Sequence, residues 1–333
     1  MKLALISQNC SPGLLIFRKD FIRYMVASGY EVYCFAIDYT AETKALVEQL
    51  GAIPVDYALS KAGLNPFQDL CNMLAYKLTD SLADISTNVS VNAVKEFERR
   101  NAVREGRMIP VLNGVDVSRF VVDLEARDRL RNEYSVSDKR LLIAVGRLFE
   151  EKDYPTLLDA FSFVLRTEKD VCLWIVGGGH LEQKLLTLSD KLNLTGNVQF
   201  LGVRHDIPQL MNAADIFVLS SAWEGFGLVV AEAMATERVV VATDCGGVAE
   251  VVGNAGYLVP PGNAEKLGEA LTLALSLTEE QAIALGAKAR KRIIEKYSLD
   301  AILYDWLEIY NDPQAALERG FSALGSDSHG GDL

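Results

Sequence analysis

Residues 214–235 read ADIFVLSSAWEGFGLVVAEAMA. Ile216–Leu219 is a short apolar run with the composition of a buried strand, and Leu228–Ala235 has the length and character of an apolar helix. Between them lies a Gly-Phe-Gly turn. A buried strand feeding through glycines into a helix is a half-turn of an alternating α/β fold. Two carboxylates, Glu224 and Glu232, stand eight residues apart around the turn. Backbone N–H groups at a helix N-terminus lack intrahelical partners, so Gly225, Phe226, Gly227 and Leu228 form a candidate phosphate-binding turn. Open α/β sheets bind ligands at such carboxyl ends of strands. The plain alternative is a structural corner, with glycines for the bend and glutamates on a solvated face.

The same rhythm extends on both sides. Toward the C-terminus, 239–243 and 256–259 read as strands, with helices at 248–252 and 264–277. A long charged helix is expected over Glu279–Tyr297 and a shorter one over 299–310. Toward the N-terminus, strands are expected at 198–201, 172–176 and 141–145. Helices fit between them at 207–213, 181–192 and 154–166. A second series opens the chain: strands Lys2–Ile6, 31–37 and Ile53–Asp56, with helices at 17–28 and 41–50. Strands at 84–88 and 108–112 would follow, around an amphipathic helix at 91–100. Asn113-Gly114-Val115-Asp116 breaks the pattern as a turn. The expected organisation is an N-terminal domain over 1–113, a C-terminal domain over 114–297 and a terminal helix over 298–312 that could cross back to the first domain. The tail over 313–333 has a disordered composition.

Composition narrows the function classes. The 333 residues are 50% hydrophobic and 23% charged, enough for sizeable cores. Net charge is −12, with 12 basic against 12 acidic residues up to 113 and 21 against 33 beyond. An acidic chain without a basic stripe is a poor partner for nucleic acid. Its field also repels anionic lipid, so membrane contact would have to be local. The five cysteines are scattered, with no paired spacing that suggests zinc. Opening residues MKLALIS turn polar too early for a signal peptide, and no window carries the ~18 apolar residues of a spanning helix. A cytoplasmic protein is expected, with peripheral contact at the inner face of the cell membrane left open.

A second constellation follows the strand at 141–145. Arg147 and Lys152 could converge on one diphosphate, the first as a planar fork and the second as a point charge. There they would stabilise charge that develops as a bond to the diphosphate breaks. They could equally be surface cations answering Glu150, Glu151 and Asp153. Taken with Glu224 and Glu232, they describe hydroxyls on both sides of a diphosphate, which is a nucleotide sugar. Gly177-Gly178-Gly179 is a strand-to-helix turn that does not satisfy GxGxxG and is weak by itself. Asp244-Cys245-Gly246-Gly247 with Glu250 fits a scaffold turn as well as a sugar contact. The turn Ser11-Pro12-Gly13-Leu14, with Arg18, lies after the first strand, where Gly13 would let the backbone approach a ligand. His180, His205 and His329 support no nucleophile–base arrangement.

On these motifs the chain resembles the family 4 glycosyltransferases. The segments that carry the likeness are GRLFEEKDYPTLLDAF, VGGGH, VQFLGV, ADIFVLSSAWEGFGLVVAEAMA, VATDCGGVAEVV and GYLVPPGNAEKLGEAL. SPGLLIFRKDFIRYMVASGYEV is similar to members that assemble bacterial surface polysaccharides. The resemblance implies a GT-B architecture, two Rossmann-like α/β domains with parallel sheets facing across a cleft. It also implies a retaining transferase that uses a nucleotide-sugar donor, a UDP-sugar, and a glycan or polyprenol-linked acceptor. Arg147 and Lys152 match the basic pair on the donor diphosphate. Glu224 matches the first acid of the Glu-x7-Glu motif, on the donor sugar hydroxyls, and Glu232 the second, on the ribose. Phe226, Gly227 and Leu228 match the loop whose amides face sugar and phosphate. The resemblance implies no metal, no cofactor beyond the donor and no separate base, because the leaving phosphate assists deprotonation of the acceptor. His180 departs from the pattern, which often has proline there.

The larger departure is in the N-terminal domain, which is abbreviated. Asn65–Leu70 runs almost directly into Met73–Asp80, where family members carry a long stretch with strands and a histidine loop near the acceptor. A βαβ unit takes roughly 30 residues. An alternative expectation is therefore a truncated, catalytically silent protein that binds nucleotide sugar. A sugar-nucleotide epimerase is disfavoured, because the shortened domain has no histidine to serve as acid or base.

Overall fold

The computed structural model describes residues 2–6, 10, 15, 18–36, 38–56, 85–312 and 314–318. The expectations for Gly13, the shortened 64–81 stretch and His329 lie outside these residues. By compactness the chain divides into two units, Met1–Thr79 and Asp80–Leu333.

In the first unit, β1 (Lys2–Ile6), β2 (Glu31–Ala36) and β3 (Ile53–Asp56) form a parallel sheet in that order. Helices α1 (Lys19–Ala27) and α2 (Ala41–Gln49) are the crossovers. In β2, Val32, Cys34 and Ala36 are buried on alternate positions, while Phe21, Ile22 and Met25 give α1 its apolar face. A capping box starts α2: the Thr40 hydroxyl accepts from the Thr43 amide, and the Thr43 hydroxyl accepts from the Thr40 amide.

The second unit opens with β4 (Ser86–Asn88), α3 (Val91–Arg99) and β5 (Met108–Pro110), a parallel strand pair joined by its helix. The sequence places this segment in a first domain ending at 113. By compactness it goes with the second unit. One reason is visible at α3, whose first amides, Val91 and Asn92, donate to Glu250 at 3.0 and 2.8 Å.

Six strands then form one parallel sheet: β6 (Arg140–Val145), β7 (Val171–Val176), β8 (Val198–Gly202), β9 (Ile216–Leu219), β10 (Val239–Thr243) and β11 (Tyr257–Val259). Their spatial order is β8-β7-β6-β9-β10-β11. The chain thus builds outward from β6 in one direction, returns, and builds outward in the other. All six residues of β7 are buried, as are all of β9 and β10, because helices cover both faces. Leu141 and Ile143 enter one core with Trp174 and Phe217, whereas Leu142 and Ala144 enter the other with Leu173 and Val218. This is the two-residue period of a strand packed on both sides.

The covering helices are α4 (Leu124–Glu133), α5 (Tyr154–Val164), α6 (Glu182–Lys191), α7 (Ile207–Ala213), α8 (Leu228–Ala235), α9 (Val248–Val252), α10 (Ala264–Leu275) and α11 (Glu279–Tyr297), and α12 (Leu299–Asn311) follows, packed on α11. All but α4 are foreshadowed by apolar spacing. Of the ten residues in α4, LEARDRLRNE, only Ala126, Leu130 and Arg131 are buried. The turn at 113–116 is tied down by a bridge from Val115 to Ser298, where α12 begins. The tail is not wholly irregular, as its composition suggests: 314–318 are helical, with Asp312 accepting from the Ala315 amide at 3.0 Å.

Candidate functional site

The strand order places a switch point between β6 and β9, whose carboxyl ends diverge into connections that run in opposite directions. A hollow of about 180 Å³, counting its side open to solvent, lies there. It is lined by Ala144 and Val145 of β6, Val218 and Leu219 of β9, and Lys152, Tyr154, Ser220 and Ser221.

Lys152 and Glu224 meet at this point as an ion pair between Nζ and Oε1, with side chains 14% and 13% exposed. They come from different loops, and backbone contacts bring the loops together. The Glu151 carbonyl accepts from the amides of Ala222 at 2.9 Å and Trp223 at 3.4 Å. Ser220 Oγ donates to the Lys152 carbonyl at 2.8 Å, and Ser221 Oγ donates to Glu224 Oε1 at 2.8 Å. Both serines are buried. Tyr154 OH donates to the Gly146 carbonyl at 3.1 Å, and burial first, then the nearby Glu224 charge, raises its phenol well above the usual range.

Arg147 lies in the same loop but faces outward. Its Nη2 reaches Glu151 Oε1 at 2.9 Å, its side chain is 70% exposed, and its guanidinium lies 5.1 Å from the Phe149 ring centre. The structure therefore brings Lys152 to Glu224 and gives Arg147 to Glu151.

Gly227 begins α8 with φ of 83°, so Leu228 opens the helix with no side chain capping it. Phe226 turns its ring inward onto Tyr297, with centres 5.7 Å apart. Glu232 follows on α8. It is partly buried, and burial pushes its carboxyl up to about 7, with Arg119 pulling the other way.

Two glycine turns brace the site. A Cβ on Gly177 would stand 1.9 Å from the Gly146 carbonyl oxygen, and one on Gly246 would stand 1.6 Å from that of Glu224. Both glycines also have positive φ, 139° and 56°. These turns are scaffold: they let one loop press on another. Glu250 is likewise occupied at the start of α3, and Asn92 Nδ2 adds a bond to the Gly246 carbonyl at 2.8 Å. His180 pairs with Glu150 at 2.9 Å, and His205 is exposed. Sequence reasoning missed Ser220, Ser221, Tyr154 and Arg119. The polar pair Ser-Ser directly after an apolar strand was the available signal. Among the described residues no group of three or more His, Cys, Asp or Glu side chains is arranged to hold a metal ion.

A six-stranded parallel sheet with charged loops at its switch point defines a Rossmann-like domain. The chain belongs to the glycosyl transferases group 1 family, whose model matches residues 126–292. It is 30% identical over 269 residues to the N,N'-diacetylbacillosaminyl-diphospho-undecaprenol alpha-1,3-N-acetylgalactosaminyltransferase of Campylobacter jejuni, covering 78% of this chain and 66% of that one. It is also 30% identical over 187 residues to the N-acetyl-alpha-D-glucosaminyl L-malate synthase of Bacillus anthracis, covering 55% and 49%. The chain thus spans about half to two thirds of the length of these relatives. The crystal structure of Anabaena HepE in complex with UDP matches with a TM-score of 0.77 at 22% identity, over 93% of this chain and 100% of that one. That likeness is one of fold, and the fold is GT-B, as the motifs imply.

Proposed function

We propose that the protein is a retaining glycosyltransferase that moves a sugar from a nucleotide-sugar donor, of the UDP type, to a polyprenol-linked or glycan acceptor in cell-surface polysaccharide assembly. One observation carries it: Lys152 and Glu224 lie in contact at the switch point, with Glu232 on the helix that follows. Family membership and the acceptor named for the Campylobacter jejuni relative support the same reading.

In this reading the donor diphosphate lies over the start of α8, facing the Gly227 and Leu228 amides, where backbone donors and the helix dipole favour an anion. Lys152 neutralises it, and Arg147 swings from Glu151 to add a second cation as negative charge grows on the leaving group. Glu224 accepts from the sugar hydroxyls and Glu232 from the ribose. Gly225 and Phe226 complete the loop beneath the sugar. Lys152 and Arg147 stabilise the leaving diphosphate without a further cofactor, and the acceptor proton passes to a phosphate oxygen. The acceptor is taken up at the surface of a membrane, to which the protein binds from the cytoplasmic side.

The test is a calorimetric titration with UDP- and GDP-sugars, followed by transfer to a polyprenol diphosphate-linked saccharide. Glu224→Ala and Lys152→Ala should each lower transfer by at least about a hundredfold, the scale of losing one preorganised electrostatic group. Arg147→Ala should lower it less. Wild-type rates in the first two variants would refute the assignment. Binding without product in the unaltered protein would leave a silent nucleotide-sugar binder.

A further inference from the structure

The Lys152–Glu224 pair has an unusual setting. Both charges are largely shut off from water; the buried Ser221 hydroxyl bonds the Glu224 carboxylate, and the adjacent buried Ser220 bonds the Lys152 main-chain carbonyl. Ser221 is anchored in turn, its carbonyl accepting from Thr243 Oγ1 at 2.6 Å. Turning the carboxylate out to solvent when its cation is taken away would break its Ser221 bond. Removing one partner of a buried pair leaves an uncompensated charge, which is far more costly than giving both charges new partners.

This bears on what the site can accept. A diphosphate that draws Lys152 toward itself loosens the lysine's bond to Glu224. An intact nucleotide sugar replaces what it removes, because the sugar hydroxyls donate to the released carboxylate. A free nucleoside diphosphate answers Lys152 and strands Glu224. Given the donor assignment above, on which this depends, we infer that the Lys152–Glu224 pair is a selectivity device that makes the site prefer the intact nucleotide sugar over the nucleoside diphosphate left by transfer. Ser221 is a positioning residue for the same device. When the product departs, the pair re-forms, which opposes product inhibition.

The experiment is calorimetry on the full chain with UDP, GDP, UDP-glucose, UDP-N-acetylglucosamine and GDP-mannose. In the unaltered protein, one nucleotide sugar should bind more tightly than its own nucleoside diphosphate. Glu224→Gln, which keeps the shape and removes the charge, should tighten the nucleoside diphosphate by about tenfold and weaken the nucleotide sugar, so the preference inverts. Ser221→Ala should move both affinities the same way by roughly threefold, the scale of one lost hydrogen bond. The gain from Glu224→Gln should vanish in a Lys152→Met background. Equal or weaker nucleoside diphosphate binding by Glu224→Gln overturns the inference. So does an equal gain with and without Lys152, which is simple repulsion between carboxylate and phosphate. If the unaltered protein binds none of the five compounds, the donor assignment itself falls.

Discussion

Glu232 shows how one residue sets a pH window. An ordinary glutamate releases its proton near 4.5, whereas burial holds Glu232 protonated to about 7 in the folded chain. Between those values the native state binds more protons than the unfolded one. Stability therefore falls as pH rises through this window and is flat above it. Glu232→Gln should leave stability at pH 5 nearly unchanged and raise it at pH 8.5 by on the order of 2 kcal/mol, read by denaturant titration. Donor binding should run the other way. If the ionised carboxylate accepts from ribose, UDP binding tightens by up to roughly tenfold between pH 6 and pH 8, and Glu232→Gln flattens that slope. A slope that survives the substitution would remove Glu232 from the ligand. The residues carrying these expectations were legible because motif spacing marks them. The serines were not, since a hydroxyl beside a strand end gains meaning only once Lys152 is known to stand opposite.

The elements divide along the same line. Strands β6, β7, β9 and β10 are readable because continuous apolar runs are the mark of strands covered on both faces. Helix α4 is not, because it buries charge in place of an apolar stripe. Its Arg127 and Arg131 reach Asp215, Arg127 Nη2 at 2.5 Å and Arg131 Nη1 at 3.3 Å, and both donate to the carbonyls that end α7. Asp215 accepts from the Leu141 amide as well, so one carboxylate joins α4 to the starts of β6 and β9. Burial alone would push that carboxyl up, but Arg127, the Leu141 amide and Arg131 outweigh it and hold it low. Asp215→Ala strands two guanidinium groups and should cost about 3–5 kcal/mol, seen as a lowered denaturant midpoint with an unchanged slope. A loss below 1 kcal/mol would mean that the carbonyls alone suffice for the arginines.

At the scale of the whole molecule, Arg147, Lys152, Glu224 and Glu232 all belong to the second compact unit. That unit contains both cores described above and the full six-stranded sheet. A chain limited to residues 80–333 should therefore unfold cooperatively and bind UDP within about tenfold of the full protein, while transferring no sugar. Loss of binding in a folded fragment would show that donor binding also needs residues 1–79. Among the described residues no helix is long and apolar enough to cross a membrane.

The tie between the Glu151 carbonyl and the Trp223 amide also holds the Trp223 backbone beside the loop of Lys152. Trp223 is 66% exposed, whereas Trp174 and Trp306 are buried, and the chain has three tryptophans. An aqueous quencher such as iodide consequently reaches one fluorophore far more readily than the other two. The protein carries its own optical reporter, one residue from the carboxylate proposed to grip the donor.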